Sequence, residues 1–102
     1  MSNNWGIPDE LEEIVRKRDN ACVYCGVPFD EKSSTNKATW EHIDNDENNI
    51  TESNIALCCA SCNSRKGAMK LSDWLQSSYC KERNINRETV ANVVQEFLKS
   101  QI

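Results

Sequence analysis

The sequence predicts a small α+β protein built around a two-stranded antiparallel hairpin, and three observations predict this class. Two β-branched and aromatic stretches, "KATWEHI" and "NIALCC", lie on either side of the polar, turn-rich loop "DNDENNITESN". Segments with helical periodicity precede and follow these stretches. Two C-x-x-C pairs, one before the hairpin and one at its end, match the ligand set of a four-cysteine zinc site.

Length, composition and charge limit the classes of protein to which this chain can belong. At 102 residues we expect a single domain over residues 1–102. No apolar run approaches the length that a bilayer needs, and the first residues lack the pattern of a signal peptide, so we expect a cytoplasmic protein without a membrane partner. Because the net charge is −4, affinity for nucleic acid must come from local clusters, "RKR" at 16–18 and "RKGAMK" at 65–70, and from a bound divalent ion.

The first helix and the two strands follow from side-chain periodicity. After Pro8, a helix is expected over about residues 8–19, because one stripe carries Leu11, Ile14 and Val15. The first strand is expected at about residues 38–43, and "NIALCC" returns antiparallel to it. A helix should open at "ASCNSRKGAM", with Ser61 or Asn63 near its start.

Two further helices are expected in the C-terminal third. One should span about residues 72–82, with Ser72 as its N-cap. The other should span about residues 87–100 behind an Asn86 cap, since apolar residues recur there at helical spacings: Val90, Val93, Val94, Phe97 and Leu98. Trp40, Trp74 and Tyr79 are expected in the core, and no role is assigned to Trp5.

Four of the six cysteines predict a structural Zn²⁺ site: Cys22, Cys25, Cys59 and Cys62. A redox dithiol is the competing interpretation, but redox C-x-x-C motifs normally occur singly. Cys58 offers an alternative ligand at C-x-x-x-C spacing, and Cys59 is favoured because its gap matches the first pair. Cys58 and Cys80 are then ordinary buried thiols.

The order of the remaining motifs points to a family. "EHIDND" is followed about twelve residues on by the Asn of "SNIAL", and then by "CASCNSRK". This arrangement, over roughly residues 20–75, resembles the HNH nucleases of the ββα-metal (His-Me finger) superfamily, in a zinc-ribbon-containing HNN-type variant. The resemblance implies a ββα-metal nuclease core, in which a hairpin and the next helix hold one divalent ion.

The resemblance also implies roles for three residues at the centre of the motif. His42 matches the general base, and a neutral imidazole with a pKa near ~6.5 can accept a proton at neutral pH. Glu41 and Asn63 match the ligands of the catalytic metal. Because both offer oxygen, they suit Mg²⁺ or Mn²⁺. The family more often has Asp at the first ligand position. Adjacent strand residues face opposite sides, so Glu41 and His42 can share a site only where the strand bends or ends.

Three more residues complete the predicted site. Asn54 matches an asparagine that ties the hairpin loop to itself, and Lys66 matches a lysine near the phosphate. Asp44, two residues after His42, is a reserve metal ligand.

The resemblance implies a divalent-metal-dependent endonuclease that nicks double-stranded DNA with low sequence specificity, as a monomer or homodimer. The alternative is a non-catalytic zinc-ribbon module that binds nucleic acid or protein.

Overall fold

The computed structural model describes residues 5–101, so residues 1–4 and 102 of the predicted single domain lie outside the described part. Its elements are α1 (Asp9–Arg18), β1 (Ala38–His42), β2 (Ile55–Cys59), α2 (Ala60–Lys66), α3 (Leu71–Trp74), α4 (Ser78–Glu82) and α5 (Asn92–Lys99). No helix among the described residues is both long and apolar enough to cross a membrane.

β1 and β2 form the predicted antiparallel hairpin, and the α+β class is confirmed. Ala38 pairs with Cys59 at one end of the ladder, and His42 pairs with Ile55 at the other. α2 begins at Ala60, directly after β2, which gives the order ββα. The first residues of α2 therefore lie at the end of the hairpin where β1 begins.

All five residues of β2 are buried because the sheet separates two hydrophobic clusters. Successive strand side chains point to opposite faces. Accordingly, Ile55 and Leu57 pack with Val15 of α1, whereas Ala56 and Cys58 belong to the larger cluster under the C-terminal helices. Trp74 is 1% exposed in that larger cluster, and Tyr79 and Trp40 pack at the edges of the two clusters, as expected for core aromatics.

The outer edge of β2 is closed by the segment after α1. Asp19, which is 5% exposed, accepts two hydrogen bonds of 2.8 Å from the Arg18 guanidinium and one of 3.1 Å from the Leu57 backbone N–H. The Leu57 carbonyl accepts from the Val23 N–H at 3.2 Å. An edge strand presents unpaired backbone groups, and these contacts satisfy them while they fix α1 against the hairpin.

α2 begins at Ala60, so Ser61 lies near its start as predicted, and the helix is capped by Cys59, whose sulfur accepts a hydrogen bond from the Cys62 N–H. The predicted start of the last helix was wrong. The helix predicted from an Asn86 cap begins later, at Asn92. Asn86 instead closes a local turn by accepting from the Glu88 N–H.

The helix predicted over residues 72–82 is divided into α3 and α4. Ser72 is not its cap, because α3 begins one residue earlier, after Lys70. The break occurs at Ser77, whose side chain accepts from the Cys80 N–H and so starts α4. The Ser77 side chain thus bonds to the backbone as an N-cap, and this ends the first helix and starts a new one.

We expect Asp19→Ala to lower the free energy of unfolding by about 2 kcal/mol, because a buried N–H and a guanidinium lose their acceptor together. Urea unfolding measures the loss. Glu13→Ala is the control: it removes an ion pair with Lys17 in which the two side chains are 69% and 77% exposed, and should cost less than about 0.5 kcal/mol. Equal losses in the two variants would contradict the role of Asp19.

Candidate functional site

Four thiols form the first part of the site. The sulfurs of Cys22, Cys25, Cys59 and Cys62 all lie within 4.8 Å of one another, and no other such group of metal-binding side chains occurs in residues 5–101. The Cys25 and Cys59 sulfurs are 3.8 Å apart. Zinc–sulfur bonds of about 2.3 Å in a tetrahedron place sulfurs roughly 3.8 Å apart. The cluster therefore has the size needed to hold a metal such as zinc.

Backbone N–H groups point at the first sulfur of each cysteine pair. Cys22 accepts from the N–H groups of Tyr24 and Cys25, and Cys59 accepts from that of Cys62, all at 3.4 Å. Such bonds stabilise thiolates. The hydrogen bond with Cys22, followed by that with Cys62, lowers the pKa of the Cys25 thiol to about 4. Hydrogen bonds with Cys22 and Cys25, and then burial, instead raise the pKa of the Cys62 thiol. Within the cluster, Cys25 thus takes the ionised form that metals bind, whereas Cys62 retains its proton.

The two remaining cysteines lie outside this cluster. Cys58 and Cys80 are both fully buried. Burial raises the pKa of each, so both remain neutral thiols. The structure thus brings Cys59 to the cluster, and places Cys58 beside Thr39, 3.8 Å from its hydroxyl.

A shallow concavity of about 230 Å³ lies where β1 ends. Its lining includes Glu41, His42 and Asn63, the three residues predicted for the catalytic centre. β1 stops at His42, and the Asn45 N–H then donates to the His42 carbonyl at 2.8 Å, which turns the chain. Because the strand ends here, the neighbours Glu41 and His42 line the same concavity.

Glu41 is held by two donors on one oxygen. It is 5% exposed, and its Oε2 accepts from the Tyr24 hydroxyl at 2.6 Å and lies 3.1 Å from the Lys66 Nζ. Burial, and then the neighbouring carboxylate, raise the pKa of Tyr24, which therefore remains a hydrogen-bond donor. Oε1 accepts no hydrogen bond within residues 5–101, and this leaves one oxygen of Glu41 available to a ligand.

Lys66 is the counterion of Glu41. Its side chain is 0% exposed, and its Nζ also donates to Asn45 Oδ1 at 2.6 Å. Lys66 does not line the concavity. Direct contact with a phosphate would require the ammonium group to leave this ion pair.

The Asn63 amide is oriented by β1. Its Nδ2 donates to Thr39 Oγ1 at 2.9 Å and to the Trp40 carbonyl at 3.1 Å. These two bonds fix which end of the amide is the donor, and Oδ1 takes no hydrogen bond from the described residues. A fixed carbonyl oxygen without a partner suits a hard cation.

His42 is 8% exposed, and its Nε2 is buried without a hydrogen-bond partner in the described part of the chain. The indole of Trp5 packs against the imidazole at 5.2 Å between ring centroids, with 70° between the planes. Trp5, to which the sequence assigned nothing, therefore belongs to the site.

Asn54 ties the hairpin loop together. It is 2% exposed; its Nδ2 donates to the Asn49 carbonyl and its Oδ1 accepts from the Asp44 N–H, both at 2.9 Å. The Asp44 carboxylate accepts from Asn49 Nδ2 and from the Asp46 N–H. Desolvation opposes ionisation of Asp44, but the hydrogen bonds from Asn49 and Asp46 outweigh it and lower its pKa. The structure leaves Asp44 outside the lining of the concavity.

Asn45 was missed by sequence reasoning. It lies at φ 66°, and its Nδ2 donates to the carbonyls of Met69 at 2.8 Å and Ala68 at 3.2 Å, while its Oδ1 holds Lys66. Asn45 thus joins the end of β1 to the end of α2. The available signal was its type, since asparagine tolerates the left-handed region better than most residues.

We expect Lys66→Met to lower the free energy of unfolding by about 3 kcal/mol or more, because Glu41 then carries a buried charge without a counterion. The double variant Glu41→Gln/Lys66→Met removes both charges and should lose less than the sum of the two single changes, with a coupling of at least ~1 kcal/mol. Chemical denaturation of the four proteins measures this coupling. Additive losses would show that the two groups act independently.

Residues 22–69, which include both cysteine pairs, the hairpin and α2, match the family model described as HNH endonuclease. No curated protein and no solved structure matches the chain. The matched segment contains Glu41, His42, Asn54, Asn63 and Lys66 in the order that the sequence resemblance required. Over residues 22–69 the chain is thus similar to the HNH endonuclease family.

Proposed function

We propose that this protein is a divalent-metal-dependent DNA endonuclease that nicks double-stranded DNA with low sequence specificity. The observation that carries the proposal is the single concavity that collects His42 with the oxygen donors of Glu41 and Asn63. Metal-dependent hydrolysis of a phosphodiester requires a general base beside ligands for a divalent cation, and this site offers both.

A catalytic Mg²⁺ or Mn²⁺ fits the donors of this site. Asn63 Oδ1 and Glu41 Oε1 take no hydrogen bonds from residues 5–101, and oxygen is the ligand that both ions prefer. The ion, when bound, would stabilise the charge that develops on the phosphoryl oxygens. Asn63 contributes a carbonyl of fixed orientation, because Thr39 and Trp40 hold its amide nitrogen.

His42 acts as the general base in this proposal. The imidazole takes a proton from water as the water oxygen forms a bond to phosphorus. The bond from phosphorus to the 3′ oxygen breaks, and that oxygen takes a proton from solvent. The products then carry a 5′-phosphate and a 3′-hydroxyl.

Lys66 and Asn54 position the reacting groups. The Lys66 ammonium offsets the charge of Glu41 and leaves Oε1 for the ion. Asn54 bridges Asp44 and Asn49, and so fixes the loop that leaves β1 at His42. Neither residue needs to touch the substrate.

Affinity for DNA should be weak and salt-dependent. Two cations of the basic clusters are bound to internal carboxylates, Arg18 to Asp19 and Lys66 to Glu41. Arg16 lies over Trp40, 5.0 Å from the ring centroid, and Trp40 lines the concavity. Arg16 is therefore well placed for a phosphate contact beside the site. A single catalytic centre of this kind cuts one strand at a time, which corresponds to nicking; a double-strand break would need two copies of the chain.

We expect the protein to convert supercoiled plasmid to open circles with Mg²⁺ or Mn²⁺, and His42→Ala to slow this conversion by at least about 100-fold, since the base is lost. Gel analysis of a time course measures the rate. Glu52→Ala, an exposed residue of the same loop, is the control and should remain within about twofold of wild type.

Equal nicking by wild type and His42→Ala with both metals would remove the catalytic proposal. The alternative, a zinc-ribbon module that binds nucleic acid or protein without cleaving it, would then replace it.

The four-thiol cluster should hold one structural Zn²⁺ per chain, as the four-sulfur donor set favours. We expect Cys59→Ala to lose the metal and to unfold, because zinc supplies on the order of 10 kcal/mol to small domains. The control variant Cys58→Ala changes the adjacent cysteine, which lies outside the cluster, and should keep about one zinc per chain. Metal analysis and circular dichroism of the two variants measure the difference. A folded, zinc-free Cys59→Ala protein would contradict a structural metal.

A further inference from the structure

A second and larger concavity, of about 420 Å³, adjoins the catalytic one. Its floor is apolar, because Ile43, Leu71 and Leu98 in its lining are almost completely buried. Lys70 and Arg87 also line it, and both are exposed at its margin. An apolar floor with a few polar groups around it is the usual composition of a ligand site. The proposed hydrolysis itself makes no use of this second concavity.

Lys70 and Arg87 are cations that the fold leaves without an internal partner. Within residues 5–101 neither side chain makes a hydrogen bond, an ion pair or a ring contact. In the basic cluster at 65–70, by contrast, Lys66 is held in a buried ion pair and Arg65 lies over a tyrosine ring. Of the described residues in the lining only Asp44 is acidic, and its carboxylate already accepts two hydrogen bonds within the hairpin loop. Positive charge is therefore in excess here.

Arg87 is carried by a turn of fixed conformation. Ile85 and Val90, on either side of it, are 2% and 3% exposed in the larger hydrophobic cluster. Between them Asn86 accepts a hydrogen bond of 2.9 Å from the Glu88 N–H. The turn is thus anchored at both ends, so a ligand that binds Arg87 does not have to order a mobile loop.

Asn45 joins the two concavities, because it lines both of them. Its Nδ2 bonds to the carbonyls of Ala68 and Met69, directly before Lys70. These bonds fix the chain at Lys70 relative to the turn that follows His42. Successive phosphates of a DNA strand are separated by a rise of about 3.4 Å. A strand that is cut beside His42 therefore carries further phosphates within reach of the adjoining concavity.

We propose that this second concavity binds the sugar–phosphate backbone of DNA next to the scissile bond, with Lys70 and Arg87 as its phosphate contacts. Lysine, arginine and hydroxyl side chains are common phosphate contacts in protein–DNA complexes, and Ser72 adds a hydroxyl to the same lining. The position of this contact beside the cut rests on the proposed nuclease function. The binding of duplex DNA by the two cations is tested without cleavage.

The double variant Lys70→Ala/Arg87→Ala tests the contact, and Lys32→Ala/Lys81→Ala is its matched control. Each removes two positive charges from exposed side chains, and neither Lys32 nor Lys81 lines either concavity. Because Lys70 and Arg87 have no internal partners in residues 5–101, the first variant should keep the circular dichroism and the Tm of wild type. Fluorescence anisotropy of a short labelled duplex, with zinc-loaded proteins and without Mg²⁺ or Mn²⁺, gives the Kd over a series of salt concentrations.

We expect Lys70→Ala/Arg87→Ala to weaken binding roughly tenfold and to reduce the slope of log Kd against log salt by about two, since two phosphate contacts are lost. The control should bind within about threefold of wild type and keep the slope. Inorganic phosphate at the same phosphate concentration should not displace the duplex. In plasmid nicking with Mg²⁺, the loss of the two cations should raise KM and leave kcat within about twofold, because these cations bind the substrate and the transition state alike.

Equal losses of affinity and of slope in the two double variants would overturn the proposal, because net charge alone would then account for binding. Displacement of the duplex by inorganic phosphate would show a site for free phosphate instead, and a lowered kcat with an unchanged KM would exclude a binding contact. A wild type that binds the duplex but does not nick plasmid would overturn the nuclease function, and the comparison of the two variants by anisotropy would still test the concavity.

Discussion

The convergence of four thiols is the constraint on which the rest of the structure depends. Their sulfurs lie within 4.8 Å of one another although the two pairs are far apart in the chain. Cys59 has three roles at once: it is the last residue of β2, the N-cap of α2 and a member of the cluster. The cluster therefore fixes where the hairpin ends and in which direction α2 leaves it. In a chain of 102 residues with a small core, a metal here would supply much of the folding free energy.

The position of α2 sets the geometry of the concavity. Asn63 and Lys66 are three residues apart and share one face of this helix. That face meets β1, where Asn63 bonds to Thr39 and Lys66 pairs with Glu41. α2 thereby orients the amide oxygen of Asn63 and, through Lys66, neutralises the carboxylate of Glu41. A buried ion pair adds little net stability compared with apolar residues; its benefit here is that it fixes the Glu41 carboxylate.

Side-chain patterns were enough to predict the hairpin, α1 and the cysteine set. Those features depend on residues close in sequence, or on motifs with strict spacing. The helix starts were predicted less well, because tertiary contacts decide them. The Ala91 N–H bonds to the Val23 carbonyl, so α5 begins after that cross-link and not at Asn86. Likewise the sulfur of Cys59, held in the cluster, caps α2.

In the site, too, residues within sequence motifs could be predicted, whereas residues that act through tertiary contacts could not. Glu41, His42 and Asn63 lie in motifs, and the structure brings them to one concavity. Tyr24 and Asn45 were not foreseen: Tyr24 is 17 residues from Glu41, and Asn45 is 21 residues from Lys66. No local pattern predicts such pairs, because the partners meet only after the cluster and the hairpin have formed.

The identity of the residue at position 41 follows from these distant partners. A glutamate side chain is one methylene longer than the aspartate that the family more often has here. Oε2 is engaged by Tyr24 and Lys66, deep enough to leave Glu41 only 5% exposed. The extra length lets one oxygen reach these donors while the side chain still lines the concavity. A carboxylate fixed in this way loses little rotamer entropy when it binds an ion. Glu41 and Lys66 therefore form one arrangement: the length of the glutamate lets it reach the buried ammonium, and the ammonium offsets the charge of the buried carboxylate.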